Sequence, residues 1–325
     1  MGHVMMSKAV PLMTAPVPPP VNWLTFSSPS AFSISVATPG WNGTMEYSTD
    51  KSTWATWDGS EIAAMDNGGT YALYFRGTGN TKVAGGSASK WTLTGSDIAC
   101  TGNIEFLLDH ATVAAGGHPA MATSCYSNMF RDCTSLTTAP ALPATTLEDY
   151  CYYYMFYGCT GLTTAPALPA TTMAGNCYYS MFYGCTSLTT APALPATTMA
   201  ANCYNSMFRG CTSLTAAPKL PATTLANYCY FSMFSGCTGL TTAPALLATT
   251  LANYCYFSMF SGCTKLKLSA EQTGNYTKAY RIPTSGTGTT ADAALTSMFA
   301  NTGGTFKGTP AINTTYYLDA SNTIV

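Results

Sequence analysis

The chain has 325 residues, a formal net charge of −1, and only 8% charged residues beside 47% hydrophobic ones. Ordinary soluble domains carry about a quarter charged residues, so a neutral, hydroxyl-rich surface is expected, with no electrostatic case for nucleic acid or anionic membrane. No run of 18 apolar residues occurs, which argues against a spanning helix.

The first element is the segment 1–21. Lys8 is followed by Ala9 and Val10, then Pro11 interrupts, and Pro16, Pro18, Pro19 and Pro20 follow. A secretory signal needs an uninterrupted apolar stretch, so this segment is expected to be an extended, polyproline-prone attachment arm. Residues 22–98 alternate apolar and polar in short runs around Trp23–Phe26, Phe32–Val36, Met45–Ser48 and Tyr71–Phe75, separated by Gly, Asn and Asp. That pattern predicts a small antiparallel β domain of sandwich type. Its segment Tyr47–Trp54 resembles a turn of immunoglobulin-like or fibronectin-like modules. Residues 99–120, with the apolar run Ile104 to Leu108, are expected to form an N-terminal cap over the segment that begins at 121.

From 121 to 267 the chain repeats itself. Cys125, Cys151, Cys177, Cys203, Cys229 and Cys255 are 26 apart, as are Cys133, Cys159, Cys185, Cys211, Cys237 and Cys263. A Met-Phe pair recurs in the same register from Met129-Phe130 to Met259-Phe260, and Leu136 to Leu266 complete the frame. Six copies without an insertion imply a stack in which every unit occupies the same place. Within a unit, Leu225, Cys229, Met233 and Cys237 fall at intervals of four, with Tyr230 and Phe234 beside them. This predicts one helical turn or two, capped by Thr223 or Thr224 and stopped at Gly236. The Pro-broken run Leu240–Leu246 predicts a short strand. Strands stack at about 4.8 Å and helices at about 8–10 Å, so a helical back would force the stack to curve.

The frame Met-Phe-x-Gly-Cys-Thr-x-Leu followed by Leu-Pro resembles the BspA-like (Treponema-type) leucine-rich repeat, whose pattern is A-F-x-x-C-x-x-L-x-x-x-x-L-P-x-x-L. Phe182, Cys185, Leu188, Leu194 and Pro195 fill those places in one unit. The present unit is longer after Leu-Pro, puts Met where Ala is usual, and adds the Cys177 series. The resemblance implies a leucine-rich-repeat solenoid, short strand plus helical turn per unit, in a surface-exposed adhesion protein of bacteria, with relatives in gut microbes and their phages. After Leu266 the register breaks. Residues 268–325 are expected to hold an insertion (268–293), a degenerate seventh unit restarting at Met298-Phe299, a strand echo from Phe306 to Ile312, and a closing segment at Tyr316–Leu318.

The cysteines invite three chemistries. Their C-x7-C spacing lacks the close pairs of zinc sites, and no His repeats with them. A bridge within one helical unit would span about 12 Å, beyond the roughly 7 Å limit. Bridges between neighbouring units would have to pair alternate steps. Buried free thiols remain the expectation. Leu-Pro-Ala-Thr-Thr, as at Leu142, resembles a sortase anchor but lacks the final Gly, the apolar segment and the basic tail. It reads as a repeat corner. His110 beside Asp109, and His118 near Cys125, could be drawn as base and nucleophile; cap histidines bonded to carbonyls are the plainer reading. The Thr137 series reads as a cross-strand ladder. Tyr126 and its equivalents do not vary and are expected to pack with their hydroxyls at the rim.

Functional information is expected where the units disagree. One series runs Ser127, Tyr153, Tyr179, Asn205, Phe231, Phe257; a second runs Arg131, Tyr157, Tyr183, Arg209, Ser235, Ser261; a third runs Tyr150, Asn176, Asn202, Tyr228, Tyr254. A close-packed interior does not exchange Ser, Arg and Phe, so these positions are expected on a surface. Candidate ligand contacts are Tyr153, Tyr157, Tyr179, Tyr183, Arg131, Arg209, Phe231 and Phe257, since flat amphipathic rings and guanidinium groups anchor protein and glycan contacts. The sequence-level expectation is a non-enzymatic adhesion or surface-display protein without cofactor or metal. It would be a phage virion appendage, of head or tail-fibre kind, binding a host-surface or mucosal glycan or protein and held to the virion through 1–21. A bacterial cell-surface adhesin is the alternative. An enzyme with its site in the β domain or cap is the more remote one.

Overall fold

The computed structural model describes residues 23–325; the attachment-arm expectation for 1–21 falls outside them. The N-terminal part contains β1 (Leu24–Ser28), β2 (Ser33–Val36), β3 (Thr44–Ser48), β4 (Ala55–Thr56), β5 (Ile62–Ala63), β6 (Met65–Asp66), β7 (Tyr71–Thr78), β8 (Trp91–Thr94) and β9 (Ile98–Thr101). They form two sheets, β9-β1-β7-β3-β4 with β6 on β7, and β5-β2-β8. Alternation on β1 sends Leu24 and Phe26 inward. There Phe26 and Phe75 of one sheet meet Trp91 of the other at 5.8 and 5.1 Å between ring centroids.

The boundary expected at residue 98 does not interrupt this sheet. β9 pairs with β1 on one side and, in parallel, with β10 (Leu136–Thr138) of the first repeat on the other. The core is likewise continuous from Leu24 to Leu318.

The expected leucine-rich-repeat solenoid with helical turns is overturned. Among the described residues the helical elements are two short 3-10 turns and one five-residue helix, His110–Ala114, and none of them lies in 121–267. The segment read as a helix is instead a run of overlapping four-residue turns. In the first unit the N–H groups of Cys125, Ser127, Met129, Arg131 and Cys133 bond three residues back. Those of Tyr126, Asn128, Phe130 and Asp132 bond forward to the carbonyls of Cys151, Tyr153, Met155 and Tyr157 in the next unit. Every fourth residue has left-handed backbone: Ser124, Asn128 and Asp132 here, Tyr150, Tyr154 and Gly158 in the second unit, Asn176, Ser180 and Gly184 in the third. An α-helix cannot contain such residues. The interval of four therefore reflects turns that place two residues inward and two outward, not a 3.6-residue helix.

The strand half is also reduced. Prolines such as Pro140 and Pro143 remove N–H donors on both sides of the corner. Pairing shrinks to single parallel bridges, Thr138 to Thr164 to Thr190 and Thr146 to Thr172 to Thr198 to Thr224. Apart from β10, the repeats hold only β11 (Thr242–Ala243) as a strand. No continuous strand lines one face and no helix closes the other. Both sides of a unit repeat at the spacing of a backbone hydrogen bond, so the expected mismatch and its curvature do not arise.

The interior consists of ladders. Rings of Tyr126, Tyr152, Tyr178, Tyr204, Tyr230 and Tyr256 stack at 5.6–5.8 Å. Phe130 to Phe260 stack likewise at 5.5–5.8 Å and continue onto Phe299. At the other end Phe130 meets Phe26 and Trp91, so the column runs on into the β sandwich. The tyrosine hydroxyls are not at the rim: these rings are 0–1% exposed, and the hydroxyls of Tyr126 and Tyr152 have no hydrogen-bond partner among the described residues.

Both ends are finished by engaging backbone groups that units otherwise offer one another. Cys125 and Met129 carry two of the four turn carbonyls that have no preceding unit. They accept instead from the N–H groups of Val83 and Ala84, and of Trp91. At the far end, Tyr254, Tyr256, Ser258, Phe260 and Gly262 donate to Asp292, Ala294, Thr296, Met298 and Ala300 of a degenerate seventh unit. The insertion before it forms β13 (Tyr276–Arg281), which pairs with β14 (Thr315–Asp319), itself paired with β12 (Leu268–Ser269). The last strand, β15 (Thr323–Ile324), lies parallel on β11. Phe306 to Ile312, expected to echo a strand, contains none.

Candidate functional site

All thirteen cysteines are buried and free. Their second series has a fixed task. The thiols of Cys159, Cys185, Cys211, Cys237 and Cys263 donate to the carbonyls of Phe130, Phe156, Phe182, Phe208 and Phe234 at 2.9–3.1 Å. Each of these carbonyls also accepts the N–H of the Cys three residues on, so the thiol occupies its second lone pair. Burial pushes these thiols far from ionisation, Cys185 and Cys237 to about 12. At neutral pH they stand as neutral thiols.

The nucleophile–base pairings do not assemble. His118 Nδ1 lies 2.8 Å from Glu105, whose side chain is 1% exposed, and the Cys125 thiol is raised to about 12, chiefly by burial. Asp109 caps the His110–Ala114 helix by accepting from Thr112, and His110 meets the Gly77 carbonyl at 2.9 Å. A cavity of about 380 Å³ lies between Glu105, His118 and the first corner at Ala144–Thr146. Asp149 accepts the N–H of Gly175 one unit on.

The outer corners of the turns carry the candidate residues. In the first unit Ser127-Asn128 and Arg131-Asp132 are the central pairs of two turns, each ending in left-handed backbone. Successive units set equivalent corners one above another. Tyr153 stacks on Tyr179 at 5.0 Å, and Tyr157 on Tyr183 at 4.7 Å. Arg131 lies over Tyr157 at 4.9 Å and Arg209 over Tyr183 at 5.6 Å. One straight row therefore reads Arg131, Tyr157, Tyr183, Arg209, with Tyr153 and Tyr179 beside it. Phe231 and Phe257 stack at 4.9 Å further along, next to the Tyr228–Tyr254 stack at 4.8 Å. The eight candidates thus share one face but form two patches, divided at Asn205. Seven are half-buried and Arg209 is exposed. Ser127 and Asn205, expected on the surface with them, are buried.

Tyr154 was not singled out by the sequence, yet it is the centre of the first patch. It packs edge-on against Tyr153 at 4.2 Å, Tyr157 at 5.2 Å and Tyr179 at 5.6 Å, with Arg131 over its ring at 5.4 Å. Its φ is 55°, where other units place Asn128, Ser180, Ser206, Ser232 and Ser258. Tyr150, Tyr228 and Tyr254 share that strain at the corner one turn earlier. The available signal was the departure of Tyr154 from an otherwise Asn/Ser series. Crowding also acts on the hydroxyls: burial, then the neighbouring Tyr154, raises the Tyr153 and Tyr179 phenols above their ordinary range.

Comparison of the chain with protein-family models, with curated proteins and with solved structures finds no match. The likeness to BspA-like repeats rests on the motif alone.

Proposed function

We propose that this chain is a non-enzymatic binding protein that recognises a surface glycan or protein through the tyrosine-rich turn face. The observation carrying the reading is Tyr154, together with Tyr150, Tyr228 and Tyr254. A bulky side chain in left-handed backbone costs on the order of 1–2 kcal/mol, and Asn or Ser serves the same two corners in other units. Strain that a fold could shed but keeps is characteristic of sites with a task. Here the strained rings extend a half-exposed aromatic floor, and such rings give contact area at small cost in side-chain entropy.

Surface display on a virion, with a host or mucosal surface as target, suits this reading; a bacterial cell-surface adhesin suits the same face. The test is a glycan-array and cell-binding comparison of the native chain with a Tyr153→Ala, Tyr157→Ala, Tyr183→Ala variant. Binding should fall at least tenfold while the near-ultraviolet circular dichroism of the buried ladders persists. Undiminished binding by the folded variant would remove this face as the site.

A further inference from the structure

Resting on that reading, we infer that the first patch takes a linear, carboxylate-bearing oligosaccharide laid along the stacking direction. Its sugar rings lie on Tyr157, Tyr183, Tyr153 and Tyr179, and its carboxylates meet Arg131 and Arg209.

The row sets the shape. Arg131 and Arg209 occupy the same position three units apart, about 15 Å at the ~4.8 Å spacing of backbone-paired chains. Between them the stacked rings recur once per unit, at 4.7 Å for Tyr157–Tyr183 and 5.0 Å for Tyr153–Tyr179. A repeating ligand whose monomers have similar length can place one ring per step. A globular protein surface has no such period. Tyrosine faces suit the apolar C–H faces of pyranose rings, and their hydroxyls suit the ring substituents.

The charge sets the class. The turn segments of these units, Cys151–Gly158, Cys177–Gly184 and Cys203–Gly210, contain no Asp or Glu. Asp149 at the margin is turned to the Gly175 amide. At one end Arg131 lies 3.6 Å from Asp132, which Lys90 already engages at 3.2 Å, so the cluster stays positive. At the other end Arg209 is exposed, with its guanidinium carbon over the Tyr183 ring at 5.6 Å from the centroid. Its N–H groups engage no side chain among the described residues and can form the paired bonds that a carboxylate offers. The second patch has Ser235 and Ser261 in the arginine row and lacks this feature.

The experiment is calorimetric titration of the full chain with tetramers of galacturonate, mannuronate and guluronate and with their carboxyl-reduced counterparts. At least one acidic tetramer should bind, at least tenfold tighter than its reduced form, and more weakly as salt rises. An Arg131→Gln, Arg209→Gln variant should lose that tenfold preference, and Tyr157→Ala, Tyr183→Ala should lose both forms. Lys219→Gln, which removes a charge at a proline corner, should leave the preference intact. Equal binding of acidic and reduced tetramers overturns the carboxylate assignment and keeps the face as a glycan site. Failure of every tetramer, with cell binding still dependent on Tyr153, Tyr157 and Tyr183, overturns the glycan assignment and keeps the face for a protein partner. Cell binding indifferent to those tyrosines overturns both.

Discussion

Raising the pH should dismantle this protein abruptly, because of its thiols. All thirteen are buried, and burial raises every one, Cys125, Cys133, Cys177, Cys185 and Cys255 to about 12 and Cys211 and Cys263 well above the usual range. In the unfolded chain they ionise near 8.5–9. A group whose folded pKa is raised contributes stability fully present below the unfolded pKa and lost as pH climbs towards the folded one. Here the window opens near pH 9. Ionisation of the unfolded chain costs the fold about 0.4 kcal/mol per thiol at pH 9 and about 1.4 at pH 10, hence roughly 5 and 18 kcal/mol in all. Total stabilities are typically about 5–15 kcal/mol. The buried tyrosines, led by Tyr126 and Tyr152, push the same way from pH 10 upward. Reduced, deoxygenated protein titrated from pH 7 to 11 should show no thiolate absorbance at 240 nm until between about pH 9 and 10. Thiolate should then appear within a few tenths of a pH unit, together with loss of near-ultraviolet dichroism. Thiolate growing gradually about pH 9 with the dichroism intact would refute the reasoning, since it would mean that the ladders ionise in place.

Phe182→Ala removes a ring buried between Phe156 and Phe208 and should cost about 4–6 kcal/mol in urea unfolding. Phe182→Leu, which keeps most of the volume but loses the stack, should cost about 1–3 kcal/mol; a cost near zero would mean that stacking adds nothing. Asn322 is fully buried, accepts the Lys267 N–H and donates to the Lys265 carbonyl; Asn322→Ala should cost about 2–3 kcal/mol and speed hydrogen exchange chiefly in the C-terminal cap. Tyr154→Asn should change stability by less than about 1 kcal/mol, since relief of left-handed strain offsets lost ring contacts, yet weaken binding at least fivefold. Lys90→Ala breaks an ion pair whose partners are 39% and 48% exposed and should cost under about 1 kcal/mol.

The sequence made the stack legible and the local backbone illegible. Cys, Met, Phe and Leu recurring every 26 residues can only face a shared interior. What that spacing left undetermined was how the chain carries them there. Leu225, Cys229, Met233 and Cys237 fit a series of turns and also a helix, because the drift of steps of four around a helix, about 120° over twelve residues, is roughly the width of an apolar stripe. The residues at the third corner of each turn separate the two. Gly158, Gly184, Gly210, Gly236 and Gly262 align with Asp132, and Asn or Ser recurs four and eight places earlier. Taken as a set, those three series spell left-handed backbone. The candidate site was legible as a face, since variable corners mark it. Its centre was not, because Tyr154 looks like one more tyrosine until its φ is known. The buried hydroxyls of Tyr126 and Tyr152 could not be foreseen from invariance, which reports packing without saying which atom packs.

The two ends of the stack bind backbone positions that any unit offers its neighbour. Val83, Ala84 and Trp91 read carbonyls that every unit presents, and the seventh unit answers donors that every unit presents. Nothing in either cap senses how many units lie between them. The gene can therefore gain or lose a whole repeat by recombination between its near-identical copies and still encode a closed molecule. A repeat gained between Arg209 and Phe231 would shift the Phe231–Phe257 patch one step relative to the Arg131–Arg209 row. Copy number thus becomes a heritable adjustment of reach and of the spacing between two contact points, open to selection without any change in the core.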